Sequence, residues 1–183
     1  MSAGAPDDLA ALIAPLVRDV SDFPEPGIVF KDLGPLFADH DALTRVVEAI
    51  ADAGRADGRG RVDKVVGIES RGFILGAPVA LELGAGFVPV RKQGKLPGPT
   101  FQRSYALEYG EATLEVQRDA FAPGDFVLVV DDVLATGGTV EATAALVEQC
   151  GAEVVGIAVL IELGFLSGRD RAAGHAVTSL LIL

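Results

Sequence analysis

The stretch from Phe126 to Gln149 constrains this chain more than any other. It opens on an apolar, largely β-branched run at residues 126–130, which reads as a buried strand. It then passes through Asp131 and Asp132 into Val133-Leu134-Ala135-Thr136-Gly137-Gly138-Thr139 and a helix over 138–149. A further apolar run at 154–161 supplies the next strand. The same alternation occurs upstream, with a strand at 64–68, a helix at 72–83 and a strand at 86–90. Strands alternating with helices predict an α/β fold: a central, mainly parallel sheet with helices on both faces and ligands outside the C-terminal ends of the strands.

Other segments complete this frame. Leu9, Leu12, Ile13, Leu16, Val17 and Val20 have helical spacing, with a kink expected at Pro15. A Pro- and Gly-rich loop over 22–34 follows. Leu43, Val46, Val47 and Ile50 mark a second helix, with Asp41 as its N-cap and the Gly-rich stretch 54–60 as its end. Segments 104–109 and 112–117 flank Gly110-Glu111 as a hairpin, Pro123-Gly124 forms a turn, and a last strand is expected over 177–183. The 183 residues hold no repeat and no linker, so they suit a single domain that buries ~70% of its unfolded surface.

The residues after strand 126–130 carry chemistry. Asp131 and Asp132 can accept hydrogen bonds from a vicinal diol, the arrangement that ribose hydroxyls present. Ala135, Thr136, Gly137, Gly138 and Thr139 bring backbone N–H groups and two hydroxyls to a helix N-terminus, where unsatisfied donors favour a phosphate. The two glycines let backbone approach the ligand closely. Neither a Gly-x-Gly-x-x-Gly fingerprint nor a Gly-x4-Gly-Lys-Ser/Thr loop occurs, which removes support for dinucleotide and P-loop readings.

Charge narrows the ligand class. A formal net charge of −11 opposes non-specific binding to nucleic acid, yet Arg91, Lys92 and Lys95 form a local basic cluster, as a small anionic ligand requires. Apolar runs stay well short of the ~18 residues of a membrane span, and Met1 to Asp8 lack the positive region of a secretory signal, so a cytoplasmic protein is expected. Cys150 is the only cysteine and reads as a small buried apolar group. His40 and His175 have no partners at metal-ligand spacing, so no metal site made by the protein is predicted.

Val127 to Thr139 matches, position by position, the PRPP-binding signature of type I phosphoribosyltransferases, where PRPP is 5-phosphoribosyl pyrophosphate. Three more stretches resemble the adenine phosphoribosyltransferases: Phe23-Pro24-Glu25-Pro26-Gly27-Ile28-Val29-Phe30-Lys31-Asp32, Gly67-Ile68-Glu69-Ser70-Arg71-Gly72-Phe73, and Val90-Arg91-Lys92-Gln93-Gly94-Lys95-Leu96-Pro97. Ala135 agrees, because relatives acting on 6-oxopurines typically place Asp there. The resemblance runs from about Val20 to Leu183. It implies a type I phosphoribosyltransferase fold with a small N-terminal hood at about 1–35, a core at 36–183 and a flexible hairpin loop. The implied reaction joins adenine to PRPP, giving AMP and pyrophosphate.

The resemblance also assigns roles. Val29 and Lys31 would read the base edge through their backbones while Phe30 stacks on the ring, a contact worth roughly 1–3 kcal/mol, and Leu163 would close the other face. Glu69, Ser70 and Arg71 would hold the pyrophosphate, with a cis peptide at Glu69–Ser70. Arg91, Lys92 and Lys95 would balance the leaving charge, partly from a neighbouring subunit, which implies a homodimer. Glu108 would accept the proton that adenine loses, or position the base, and Tyr109 would lie beside it in the closing loop. Mg2+ would be held mainly by PRPP and pyrophosphate.

Overall fold

The computed structural model describes residues 6–56, 60–106, 111–172 and 174–183. The chain forms two compact units, Met1–Val47 and Glu48–Leu183.

In the first unit, helix α1 covers Pro6–Ile13 and passes into a 3-10 turn at Ala14–Leu16. The single helix expected through Val20 is therefore corrected. Pro15 removes a backbone donor, Val17 leaves in an extended conformation, and Arg18–Ser21 forms strand β1. Its antiparallel partner β2, Val29–Asp32, lies inside the segment expected to be loop. Opposite charges meet across this ribbon, Arg18 with Asp32 and Lys31 with Asp19 at 2.7 Å. Helix α2 covers Gly34–Ala38, and α3, whose first half belongs to this unit, covers His40–Arg55. The cap of α3 is Asp39 rather than Asp41: its Oδ1 accepts the Ala42 N–H at 2.9 Å.

The second unit realises the alternating pattern as β3 (Lys64–Ile68), α4 (Gly72–Leu83), β4 (Gly86–Lys92), β5 (Thr100–Ala106), β6 (Glu111–Gln117), β7 (Phe126–Leu134), α5 (Gly138–Gln149), β8 (Glu153–Glu162) and β9 (Val177–Ile182). The described residues build one seven-stranded sheet in the order β5-β6-β4-β3-β7-β8-β9. Strands β4, β3, β7, β8 and β9 run parallel, while β6 and β5 add an antiparallel hairpin at one edge. Val127, Val129, Val154, Ile157 and Val159 pack with Val140, Leu146 and Val147 of α5. On the opposite face α4 presses on β3, where Gly76 approaches Gly67. A strand covered on both faces needs apolar residues at consecutive positions, and Val127 to Val130 are all buried. Each fully buried Val or Leu contributes ~1.5–3 kcal/mol.

β3 is the switch point of the sheet. The chain leaves β3 through α4 toward β4 on one side, and leaves the adjacent β7 through α5 toward β8 on the other, which opens a crevice beyond the ends of both strands. Strand β7 also runs past the expected 130, carrying Asp131 and Asp132 within its paired region. Among the described residues, no helix is long and apolar enough to cross a membrane.

Candidate active site

The loop after β3 and the end of β7 meet. Asp131 and Asp132 are each 7% exposed, which is rare for carboxylates without a partner. Asp132 has one: Arg71 Nε stands 2.7 Å from its Oδ2. Asp131 Oδ1 accepts the backbone N–H of Asp132 at 2.9 Å. Burial, and next the neighbouring Asp132 charge, hold the Asp131 carboxyl well above the usual carboxylate range. Gly72 opens α4 directly against this pair, since a Cβ there would stand 2.9 Å from Asp131 Oδ1. The peptide Glu69–Ser70 is cis, as the resemblance implies.

Beyond the carboxylates, Ala135, Thr136 and Gly137 form the turn into α5. Gly137 adopts the left-handed conformation at φ 84°, and Gly138 is buried as the first residue of the helix. Thr139 directs its hydroxyl to the Tyr105 phenol of β5 at 3.2 Å. A wall lies behind this turn: a Cβ on Gly137 would come within 2.2 Å of the Gly168 carbonyl oxygen, and one on Gly168 within 2.0 Å of the Ala135 oxygen. The two backbones touch with no room for a side chain on either.

The basic cluster lies at the end of β4, beside the loop after β3. Arg91 Nε donates to Glu69 Oε2 at 3.1 Å, and the Lys92 N–H donates to the same oxygen at 3.0 Å. Arg91 Nη1 also donates to the Lys95 carbonyl at 3.2 Å. The Glu69 carboxylate thus organises the cations. Lys92 and Lys95 are exposed. Leu163 follows β8 and is half-buried, its N–H donating to Leu134 O at 2.9 Å.

Val29, Phe30 and Lys31 lie on β2 of the smaller unit. There Phe30 meets Phe23 edge-on with ring centres 5.0 Å apart, and Val29 is half exposed. Glu108 and Tyr109 lie outside the described residues. Among the described residues, no group of three or more His, Cys, Asp or Glu side chains could hold a metal ion. Cys150 is half-buried against the core, and burial raises its thiol pKa.

Three polar residues escaped the sequence reading. Glu115 is buried in β6, flanked by buried Leu114 and Val116, where strict alternation would expose one face. Glu162, 6% exposed at the end of β8, accepts from Arg169 Nε at 3.1 Å and binds Ser179 as well. Arg169 holds the Glu162 carboxyl below its usual range, more than offsetting burial. Arg169 thereby secures the segment whose Gly168 backs the turn into α5. The available signal was a carboxylate closing an apolar run at Leu160-Ile161-Glu162.

Comparison with known proteins agrees with this arrangement. The family model "Phosphoribosyl transferase domain" matches residues 37–178. An adenine phosphoribosyltransferase of a Nocardioides species is 65% identical over 167 residues, covering 91% of this chain and 90% of the relative. The crystal structure of adenine phosphoribosyltransferase from Rhodothermus marinus superposes with a TM-score of 0.91 at 51% identity, covering 97% of this chain and 99% of that one. The enzyme from Saccharomyces cerevisiae, solved with an imino-altritol bisphosphate and adenine, gives a TM-score of 0.91 at 39% identity, covering 96% and 99%. With a switch-point crevice that joins buried paired aspartates to a glycine-rich turn at a helix start, and with relatives matched over nearly their full length, the chain belongs to the adenine phosphoribosyltransferase family.

Proposed function

We propose that this chain transfers the 5-phosphoribosyl group of PRPP to adenine, giving AMP and pyrophosphate. The observation that carries the reading is the junction of Arg71, Asp131 and Asp132 with the turn at Ala135 to Thr139. The N–H groups of that turn bind the 5′-phosphate. Asp131 and Asp132 bind the ribose hydroxyls, and the raised pKa of Asp131 fits a site that gains from hydrogen-bond donors and positive charge. Ser70, Arg71, Arg91, Lys92 and Lys95 take the pyrophosphate, whose charge grows as the anomeric carbon acquires oxocarbenium character. Glu69 acts through Arg91 and Lys92.

In the same reading, residues 1–35 form a hood in which Val29 and Lys31 read the adenine edge and Phe30 stacks on the ring, and residues 36–183 form the core. Leu163 closes the second face of the base. Ala135 leaves no acidic group to meet a 6-oxopurine. Glu108 accepts the N9 proton as the new bond forms, with Tyr109 beside it. Turnover of Glu108→Gln is expected to fall ~10²-fold, and a change within about twofold would remove that role.

Mg2+ would be held mainly by oxygens of PRPP and pyrophosphate, because the described residues offer no group of three or more metal-ligating side chains. When bound, it adds positive charge at the leaving group. A homodimer and a cytoplasmic location belong to the same proposal. The exposed apolar stripe Ile74, Ala77 and Leu81 along α4 supports self-association. A single reduced cysteine agrees with the cytoplasm.

The test is to mix the protein, Mg2+ and PRPP with adenine, hypoxanthine, guanine, xanthine, orotate or uracil in turn and measure the nucleotide formed. AMP from adenine alone is expected. A different favoured base would overturn the assignment, and tight PRPP binding with no nucleotide from any base would instead indicate a PRPP sensor.

A further inference from the structure

Glu115 sits in the middle of β6 and is 2% exposed, opposite Arg91 of β4 and Gln102 of β5. Its Oε1 accepts the backbone N–H groups of Lys95 and Leu96, both at 2.8 Å. Its Oε2 accepts from Thr100 Oγ1 and Gln102 Nε2, both at 3.3 Å. Among the described residues, no ion pair reaches it. Burial pushes the carboxyl pKa up, but the amides of Leu96, Gly94 and Lys95 together with Gln102 more than offset that, leaving it below the usual range. The printed hydrogen bonds to this buried carboxylate thus come from neutral donors, an arrangement that gains little stability over an apolar residue of the same size. Its effect is geometric. The backbone of residues 94–96 wraps around one carboxylate, while Arg91 Nη1 holds the Lys95 carbonyl from the other side at 3.2 Å.

We propose that Glu115 is a positioning residue for the pyrophosphate half of the reaction. It fixes the 94–96 backbone so that the Lys95 ammonium is presented to the pyrophosphate. This rests on the reading of Arg91 and Lys95 as pyrophosphate ligands. A charged acceptor suits the role because it draws several amides to one point more strongly than a neutral oxygen does. Glu69 does the same for Arg91 and the Lys92 amide, so carboxylates brace the basic strand end on both sides.

The test measures Mg-pyrophosphate binding by calorimetry, and the KM for PRPP and for adenine, in Glu115→Gln, Lys95→Ala and the double variant. Glu115→Gln is expected to weaken pyrophosphate binding and raise the PRPP KM about tenfold, with the adenine KM unchanged. The double variant is expected to lie within about twofold of Lys95→Ala, because Glu115 acts through Lys95. Wild-type pyrophosphate binding in Glu115→Gln, with Lys95→Ala impaired, would overturn the proposal alone. So would losses that multiply in the double variant, or an equal rise in the adenine KM. Unchanged binding in Lys95→Ala would overturn the ligand reading and this inference with it. If Glu115→Gln does not fold, Gln102→Leu removes one Oε2 donor from outside the core. A two- to threefold loss is then expected, and wild-type binding would overturn the proposal.

Discussion

Arg71 Nε stands 2.7 Å from Asp132 Oδ2, joining the loop after β3 to the carboxylates of β7. The guanidinium is about one-third exposed while the carboxylate is almost covered, and in the proposed function Arg71 both anchors on Asp132 and meets phosphate oxygens. Arg71→Ala removes both functions. We expect kcat/KM for PRPP to fall ~10²-fold or more. Stability should drop by about 1–3 kcal/mol, because Asp132 loses its cation, with the lower values reflecting solvent screening of the half-open pair. Steady-state kinetics and urea unfolding measure the two effects separately.

Asp131 gives a prediction of opposite sign for stability and activity. Its pKa is raised, so its contribution to stability is complete below the ordinary carboxylate value of about 4 and is lost as pH rises through the folded value. Above the ordinary value the buried carboxyl therefore costs stability that grows as pH rises. The ligand-free Asp131→Asn variant should therefore melt above the wild type at pH 7.5, with the difference shrinking toward pH ~4. The same variant should raise the PRPP KM at least tenfold. Thermal melts across pH would show an inverted or flat difference if Asp131 were stabilised in its charged form.

The contact between Gly168 and the turn into α5, the proposed phosphate site, predicts a binding defect from one methyl group. Gly168→Ala would place a carbon 2.0 Å from Ala135 O, so the turn must shift. AMP affinity should fall at least tenfold, at a stability cost of ~1–3 kcal/mol. Gly156→Ala is the control, since its Cβ would meet Leu128 at 3.6 Å, an ordinary contact. Equal AMP affinity in the two variants would refute the buttress.

Arg169 should reveal its pairing through pH. Glu162 has a lowered pKa, chiefly through Arg169, so this contribution is present above the ordinary Glu value of about 4.3 and is lost as pH falls through the folded value. Arg169→Met is expected to cost about 1 kcal/mol at pH 7, a figure reduced for the exposure of the arginine. That cost should vanish in acid once Glu162 is protonated. Denaturant unfolding at both pH values measures it.

Local pattern determined much of this protein. The runs at Lys64–Ile68, Gly72–Leu83 and Gly138–Gln149 fall where apolar spacing puts them, because a strand buried on both faces and a helix packed on a sheet leave distinct periods in the chain. The turn into α5 was legible for a similar reason, since consecutive residues form it. Tertiary structure decided what distant residues share. Arg18–Ser21 has helical spacing but becomes a strand, because Pro15 interrupts the helix and Val29–Asp32 offers a complementary edge. Arg71 reaches Asp132 only because β3 and β7 are neighbours in the sheet, and Glu115 reaches Lys95 only because β6 lies beside β4. Hydrogen bonds and ion pairs between residues far apart in sequence carry no period, so packing alone specifies them.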